Sequence, residues 1–445
     1  MALLVASIEG VSRMQLEEFA VHGLFGRYNH VIPLPTSEED SDAASVVILH
    51  GPNGVGKTTV LQMLSGMMSL NFDPFRRVPF TSSLLRFNSG VELRVDRMRD
   101  GSLRVQFKDF EAYLNGSRKG ALKERDQGSV EELRTSFFEY TSDLSFEFLP
   151  DTRLSQRGNV AEALADLSTG AVQGSPEFQH ELLNRVLIST KILESTSRTQ
   201  QPKTSLLAER IKSFAREAQV DYRQFFGTTE PDLFPKIIDN LSNPIGSLHQ
   251  PEDLEKKIFR IHELERTHLR LGLGHDRWDF EQLLSSIESL KVPEPNNHAL
   301  VVLNTYVEYL ESRADARQLI AERLLTFEEV MRDFFTDKRV RISRRSGIEV
   351  ESSQGERLTE AQLSSGEYQL LYLMISALTT RRRGTVIAID EPELSMHPAW
   401  TRRLVRNILR CASRATPQLI LATHSPEIAV DYAERLVRLS DADAS

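Results

Sequence analysis

Eight consecutive residues, Gly51-Pro52-Asn53-Gly54-Val55-Gly56-Lys57-Thr58, fit the phosphate-binding pattern G-x-x-x-x-G-K-[ST] at every fixed position. Glycines there let backbone N–H groups converge on phosphate oxygens, and a helix that follows presents its positive N-terminal end to them. Lys57 is a mobile point charge suited to β- and γ-phosphates. The hydroxyl of Thr58 suits a Mg²⁺ ligand, and Thr59 continues the same turn. A second stretch, Leu363-Ser364-Ser365-Gly366-Glu367-Tyr368-Gln369, opens an apolar run. Ser364, Ser365, Gly366 and Glu367 would offer hydroxyls, free N–H groups and a favourable dipole to an anion. A plain helix N-cap fits the same residues.

Two more stretches end in side chains able to move protons. Thr385-Val386-Ile387-Ala388-Ile389 delivers Asp390 and Glu391. Alternation along a strand sends adjacent carboxylates to different sides, so they can take different roles. Asp390 suits Mg²⁺ or its water ligands, and Glu391 suits orienting or deprotonating an attacking water. Leu419-Ile420-Leu421-Ala422-Thr423 ends in His424-Ser425-Pro426, where a helix start follows an imidazole.

The elements that must position these groups are legible around them. Ser45-Val46-Val47-Ile48-Leu49-His50 reads as a buried strand before the glycine loop, and Val60-Leu61-Gln62-Met63-Leu64 as the helix after it. A strand is expected at Met14–Val21, followed by the glycine-bearing Gly23–Tyr28 and then Val31–Leu34; Ser145–Pro150 reads as another strand end, and residues 36–43 as an acidic polar loop. Val91–Val95 and Leu103–Phe107 alternate at period two around Asp100-Gly101 and predict a hairpin. Residues 115–130, polar and glycine-bearing, read as a solvated loop. From about 155 to 335 helical spacing dominates: Leu206, Arg210, Ile211, Phe214 and Ala218; then Leu254, Ile258, Ile261 and Leu264. A longer helix is expected over 297–335, reaching roughly 60 Å, set off by Pro293 and Pro295. A protruding arm and an ordinary helical subdomain both fit it. Sheet texture returns at Val340–Ser343 and Gly347–Glu351.

Composition narrows the class. The 40% hydrophobic and 26% charged residues suit a soluble protein with a sizeable core. No apolar run approaches the ~20 residues of a membrane span, and the N-terminus does not read as a secretory signal. The single cysteine, Cys411, leaves no disulfide framework and no cysteine-built metal site, so a cytoplasmic location is expected. His262, His268 and His275 lack the spacing of a helical metal site. The net charge of −9 argues against a uniformly basic nucleic-acid surface. Local clusters remain: Arg339-Arg341-Arg344-Arg345, Arg381-Arg382-Arg383 and Arg402-Arg403-Arg406-Arg410. They suit DNA phosphates, solvated faces or interface pairs alike.

Together the four motifs resemble the ATP-binding-cassette (ABC) class of ATPases: Walker A at Gly51–Thr58, signature at Leu363–Gln369, Walker B at Thr385–Glu391 and a switch histidine at His424. The resemblance implies an α/β ATPase head with a mixed sheet and phosphate loop, split by a helical arm or insertion. Its expected parts are residues 1–154, the helical 155–335 and the returning 336–445. The long path from Thr58 to Leu363 resembles SMC and RecF relatives rather than transporter cassettes. The wording Asp390-Glu391-Pro392-Glu393-Leu394-Ser395-Met396-His397-Pro398 is most similar to the ATPase half of overcoming-lysogenization-defect (OLD) nucleases and related bacterial anti-phage ATPases. In those ATPases the place of Gly23–Tyr28 carries nucleotide-contacting residues, which assigns Arg27 to the nucleotide. Where related sequences carry a Q-loop glutamine, this one reads Asp151-Thr152-Arg153-Leu154. An OLD nuclease continues past the histidine into a Toprim domain, whereas this sequence stops shortly after His424.

The resemblance further implies two heads sandwiching two ATP molecules with Mg²⁺. Lys57 and Thr58 of one head would serve the phosphates, Ser365 and Gly366 of the other would cap the γ-phosphate, Glu391 would activate water, and His424 would sense the γ-phosphate. The expected partners are a second copy of the chain and a separately encoded effector, a nuclease, gated in phage defence. Nucleic acid is a candidate partner and a membrane is not. A RecF-like DNA-repair clamp and an ATP-binding scaffold with little turnover are the alternatives.

Overall fold

The parallel strands that carry the glycine loop and both carboxylates are buried on both faces, as strands covered on each side must be. The computed structural model describes residues 14–35, 46–114, 124–150, 207–216, 230–242, 249–274, 279–291, 297–380, 385–412 and 416–439. The acidic loop at 36–43, Ser45, Asp151–Leu154, Leu206, Ala218, His275, Pro293, Pro295 and Arg381–Arg383 lie outside them. Two compact units are present. One is Met1–Gln201 with Ser365–Leu373 and Thr380–Ser445; the other is Pro202–Ser364 with Met374–Thr379.

The first unit contains β1 (Leu16–Leu24), β2 (Tyr28–Pro33), β3 (Val46–His50), β4 (Ser82–Phe87), β5 (Glu92–Arg97), β6 (Leu103–Phe107), β7 (Phe110–Leu114) and β8 (Phe146–Leu149). Later in the chain it adds β12 (Val386–Asp390), β13 (Gln418–Ala422) and β14 (Leu436–Arg438). The parallel and antiparallel strands expected of the head occupy separate sheets. A five-stranded sheet runs β14-β3-β13-β12-β8, all parallel. A six-stranded antiparallel sheet runs β2-β1-β4-β5-β6-β7. The Asp100-Gly101 turn joins β5 to β6 as expected, with Gly101 at φ 83 and the Asp100 carboxylate accepting from the Ser102 N–H at 2.9 Å.

The helix Lys57–Ser69 contacts β8, β12 and β13 of the parallel sheet. Its Met67 Sδ accepts from the Ser83 hydroxyl of β4 at 3.4 Å, so the same helix reaches the antiparallel sheet. Val60, Leu61, Leu64 and Met67 fill the core there with Phe19, Leu85, Phe87 and Phe107. Gln418 ties the sheets directly. Its side chain accepts from the Leu16 N–H at 2.9 Å and donates to the Leu16 carbonyl at 2.7 Å. Of the loop expected at 115–130, residues 115–123 lie outside the described residues, and a helix over Glu124–Tyr140 corrects the remainder. Its sequence starts polar and contains Gly128, which hid it. The spacing of Val130, Leu133, Phe137 and Tyr140 marks the apolar stripe, and Phe137 meets the Phe107 ring at 5.2 Å.

In the second unit, the expected long helix spans Asn297–Phe334. Helices Glu230–Ser242 and Pro251–Leu271 pack against it, and Phe280–Glu288 packs against the latter. Leu254, Ile258, Ile261, Ile287, Val307, Leu310 and Ala314 form a core shared by Pro251–Leu271, Phe280–Glu288 and the long helix. A three-stranded sheet, β9 (Lys338–Ser343), β10 (Gly347–Ser352) and β11 (Arg357–Leu358), completes the unit. Glu328 anchors it by accepting from the Ile342 N–H at 2.7 Å while pairing with both Arg270 nitrogens.

One polar cluster lies inside the helical core. Arg317 pairs with Glu265 at 2.8 Å, and wholly buried His268 meets Gln318 through Nε2 at 3.2 Å. Burial pushes the His268 imidazole below its ordinary value, helped by Arg317 and opposed by Gln318 and Glu265. The unfolded chain then binds the proton more readily, so stability is lost as pH falls below about 6.5. We expect His268→Leu to flatten that acid limb, whose slope is at most about 1.4 kcal/mol per pH unit per proton. Urea melts across this range check it; equal pH slopes for both proteins would refute the assignment.

Candidate active site

Parallel pairing puts the chemistry on one edge. The register sets Asp390 beside Ala422 and Ala422 beside Leu49, so β12, β13 and β3 all end together. A crevice at the carboxyl ends of parallel strands is where such sheets bind ligands. Three loops leave this edge: residues 51–56, residues 391–397 and residues 423–425.

The glycine loop is held by its own side chain. Lys57 Nζ donates to the carbonyls of Gly51 at 2.9 Å and Pro52 at 3.3 Å. Gly54 and Gly56 take φ 85 and 98, conformations that other residues adopt only with strain. A methyl at Gly56 would also stand 2.8 Å from Leu24 Cδ2, which would have to move aside. Pro52, Asn53 and Gly54 face solvent, Val55 is buried, and Thr58 and Thr59 are half-buried. His30, which the motifs do not reveal, braces the loop by bonding the Val55 carbonyl at 3.0 Å.

Thr58, Asp390, Glu391, His424 and Lys57 come together. Thr58 donates its hydroxyl to Asp390 Oδ1 at 3.1 Å, with Asp390 only 1% exposed. His424 stands between the other two: Nδ1 lies 3.2 Å from Lys57 Nζ, and Nε2 lies 3.3 Å from Glu391 Oε1. Glu391 takes φ 48, unusual for a residue with a side chain, and its N–H donates to the Ala422 carbonyl at 2.8 Å. Burial lifts its carboxyl to about 8, and the charges of Glu393 and Asp390 add to the shift against Lys57. A carboxyl near neutrality is suited to proton transfer. Burial lowers Lys57 against the pull of Glu391, Asp390 and Glu393. Burial and Lys57 likewise hold His424 below its usual value.

The remaining expected site residues are not part of this chain of contacts. Ser364 and Ser365 are exposed at the start of the helix Ser365–Thr379, whereas Gly366 and Glu367 are buried. Gly366 abuts the turn at Ser395, whose carbonyl oxygen any Cβ would strike. Arg27 is in the β1–β2 turn; its guanidinium lies over the Tyr28 ring at 4.4 Å, and Tyr28 stacks on His30. Glu393, to which the motifs assign no role, binds three groups of residues 423–425 through its carboxylate. The only hint was an extra acidic residue just past the strand. Among the described residues no group of three or more His, Cys, Asp or Glu side chains forms a metal cluster, and no helix is long and apolar enough to cross a membrane.

None of the curated proteins compared matches the chain. Similar solved structures include the Smc head domain with an extended coiled coil from Pyrococcus furiosus, bound to the C-terminal domain of ScpA. It is 14% identical, with 96% of this chain and 94% of that chain covered at TM-score 0.39. The SMC head domain from Thermotoga maritima is 12% identical, with 95% and 94% covered at TM-score 0.34. The family profile described as "AAA domain, putative AbiEii toxin, Type IV TA system" matches residues 46–431, and the chain belongs to that family of ATPase-type domains.

Proposed function

We propose that this chain hydrolyses ATP at the Lys57–His424–Glu391 site, dimerises through its heads and thereby controls a separately encoded effector, a nuclease, in bacterial anti-phage defence. The carrying observation is the geometry: His424 contacts both Lys57 and Glu391, while Thr58 and Asp390 converge at 3.1 Å. The donor set fits ATP with Mg²⁺. Gly51–Thr59 would hold the phosphates, and Thr58 and Asp390 supply the hard oxygens that Mg²⁺ prefers. Mg²⁺ there would supply charge neutralisation at the phosphates. In its ionised form Glu391 takes a proton from the attacking water, and His424 orients Glu391 while facing the phosphate side through Lys57. Ser364, Ser365, Gly366 and Glu367 act toward the nucleotide of the opposite head, and Arg27 toward its own.

The family description names a putative AbiEii toxin of a type IV TA system, and control of a partner is our own reading beyond it. The phrase Asp390–Pro398 keeps the resemblance to OLD-type ATPases as the reading of the branch. DNA contact has one supporting observation: Arg402, Arg403 and Arg406 lie exposed on the helix Pro398–Cys411.

The test is a tagged pulldown from the native host with wild type, Lys57→Ala and Glu391→Gln. A nuclease should be recovered whose retention differs between the two variants, and the pure chain should degrade neither DNA nor RNA with Mg²⁺ or Mn²⁺. Intrinsic nuclease activity would count against the proposal. Turnover strongly stimulated by DNA, with no partner recovered, would favour a repair clamp.

A further inference from the structure

Glu393 is two residues beyond Glu391, on a loop shaped by its own turns. The Leu394 N–H donates to the Glu391 carbonyl at 3.1 Å, and the Met396 N–H donates to the Glu393 carbonyl at 2.9 Å. Between the two glutamates, Pro392 is buried and its ring fixes the local backbone. One oxygen of Glu393, Oε1, accepts three hydrogen bonds from three consecutive residues: the Thr423 hydroxyl at 2.6 Å, the His424 N–H at 3.0 Å and the Ser425 N–H at 3.1 Å. Ser425 N–H also meets the Thr423 hydroxyl oxygen at 2.9 Å, and the Thr423 N–H reaches the Leu49 carbonyl at 3.2 Å.

This segment follows β13 and carries the histidine, whereas the loop of Glu393 follows β12 and carries Glu391. Without Glu393, these loops would be tied chiefly at the strand ends and by the 3.3 Å His424–Glu391 contact. The rotamer open to the exposed His424 side chain, and so its place between Lys57 and Glu391, depends on where its backbone lies. A carboxylate makes charge-assisted bonds roughly twice as strong as neutral ones, so one oxygen can hold the whole segment.

We propose that Glu393 is a positioning residue that clamps the Thr423–Ser425 segment to the Glu391 loop and so sets the His424 imidazole between Glu391 and Lys57. Its effect on turnover rests on the ATPase reading above; the clamp itself does not. Glutamine can accept the same three bonds through its amide oxygen, and alanine can accept none.

The experiment uses the full chain as wild type, Glu393→Ala, Glu393→Gln and Thr423→Val. Glu393→Ala should lower kcat about tenfold or more while leaving KM within about twofold, as misplacement of a reacting group does. Glu393→Gln, which keeps the three acceptor contacts without their charge assistance, should recover most of the turnover, and Thr423→Val, which deletes the 2.6 Å bond, should give an intermediate loss. A fold staple without positioning function would lower the melting temperature and leave kcat alone. Amide hydrogen exchange supplies the arm independent of turnover: protection at His424 and Ser425 should fall in Glu393→Ala and persist in Glu393→Gln. Wild-type kcat in a folded Glu393→Ala, equal loss in the glutamine and alanine variants, or unchanged protection would each overturn the proposal. If Glu393→Ala does not fold, Thr423→Val decides through the same two readouts. Equal turnover in wild type and Glu391→Gln would instead refute the ATPase reading, and the exchange data would still decide the clamp.

Discussion

Lys57→Ala will bind ATP about 10²-fold more weakly, because charge-assisted bonds to phosphate each contribute about 1.5–3 kcal/mol. Glu391→Gln will keep ATP affinity and lose turnover by about 10²- to 10⁴-fold, the range assigned to a general base. The two variants separate binding from chemistry because the two groups meet different parts of the reaction. Nζ of Lys57 already points into the loop, bonded to the Gly51 and Pro52 carbonyls, so its loss also slackens the cradle. Glutamine at 391 keeps the shape and can still meet His424 Nε2, but it cannot accept the proton of the attacking water. Nucleotide titration and phosphate-release kinetics check both. Equal turnover by wild type and Glu391→Gln would remove Glu391 from the chemistry.

The sequence revealed those two residues because each is part of a local pattern. A run of β-branched residues ending in Gly51 shows where a buried strand stops, and the same holds for Ile387–Asp390 and Leu419–Thr423. Parallel pairing then brings the strand ends together whatever the length of chain between them. Contacts made only by folding stayed hidden. Glu393 is 30 residues from Thr423 in the chain, and no spacing rule joins a carboxylate to three donors on another loop. Gln418 reads as one more strand residue, although it bonds both backbone groups of Leu16. His30 gives no signal at all, because its partner is a backbone carbonyl. The helix Glu124–Tyr140 was missed for a different reason: helical periodicity shows in apolar residues, and its first turn, from Glu124 to Gln127, has none.

Mixing two inactive variants should restore activity if the sites are shared between heads. Ser365→Arg puts a bulky cation at the exposed start of the helix Ser365–Thr379, where the opposite head's γ-phosphate would dock. The neighbouring position leaves no room for relief, since Gly366 is pressed against the Ser395 turn. The variant should therefore bind ATP with near-normal affinity as an isolated head, because its Lys57 loop is untouched, and fail to turn over. Lys57→Ala should fail for the opposite reason. In a two-fold dimer of one subunit of each kind, one site carries both defects and the other carries neither. Random exchange makes about half the dimers mixed, each with one intact site, so recovery should approach about a quarter of wild-type turnover if the sites act independently. Phosphate release from an equimolar mixture measures it, with subunit exchange verified by differently tagged copies. Absence of recovery in demonstrably mixed dimers would mean that each chain builds its site alone, and Ser365 would then revert to a helix cap.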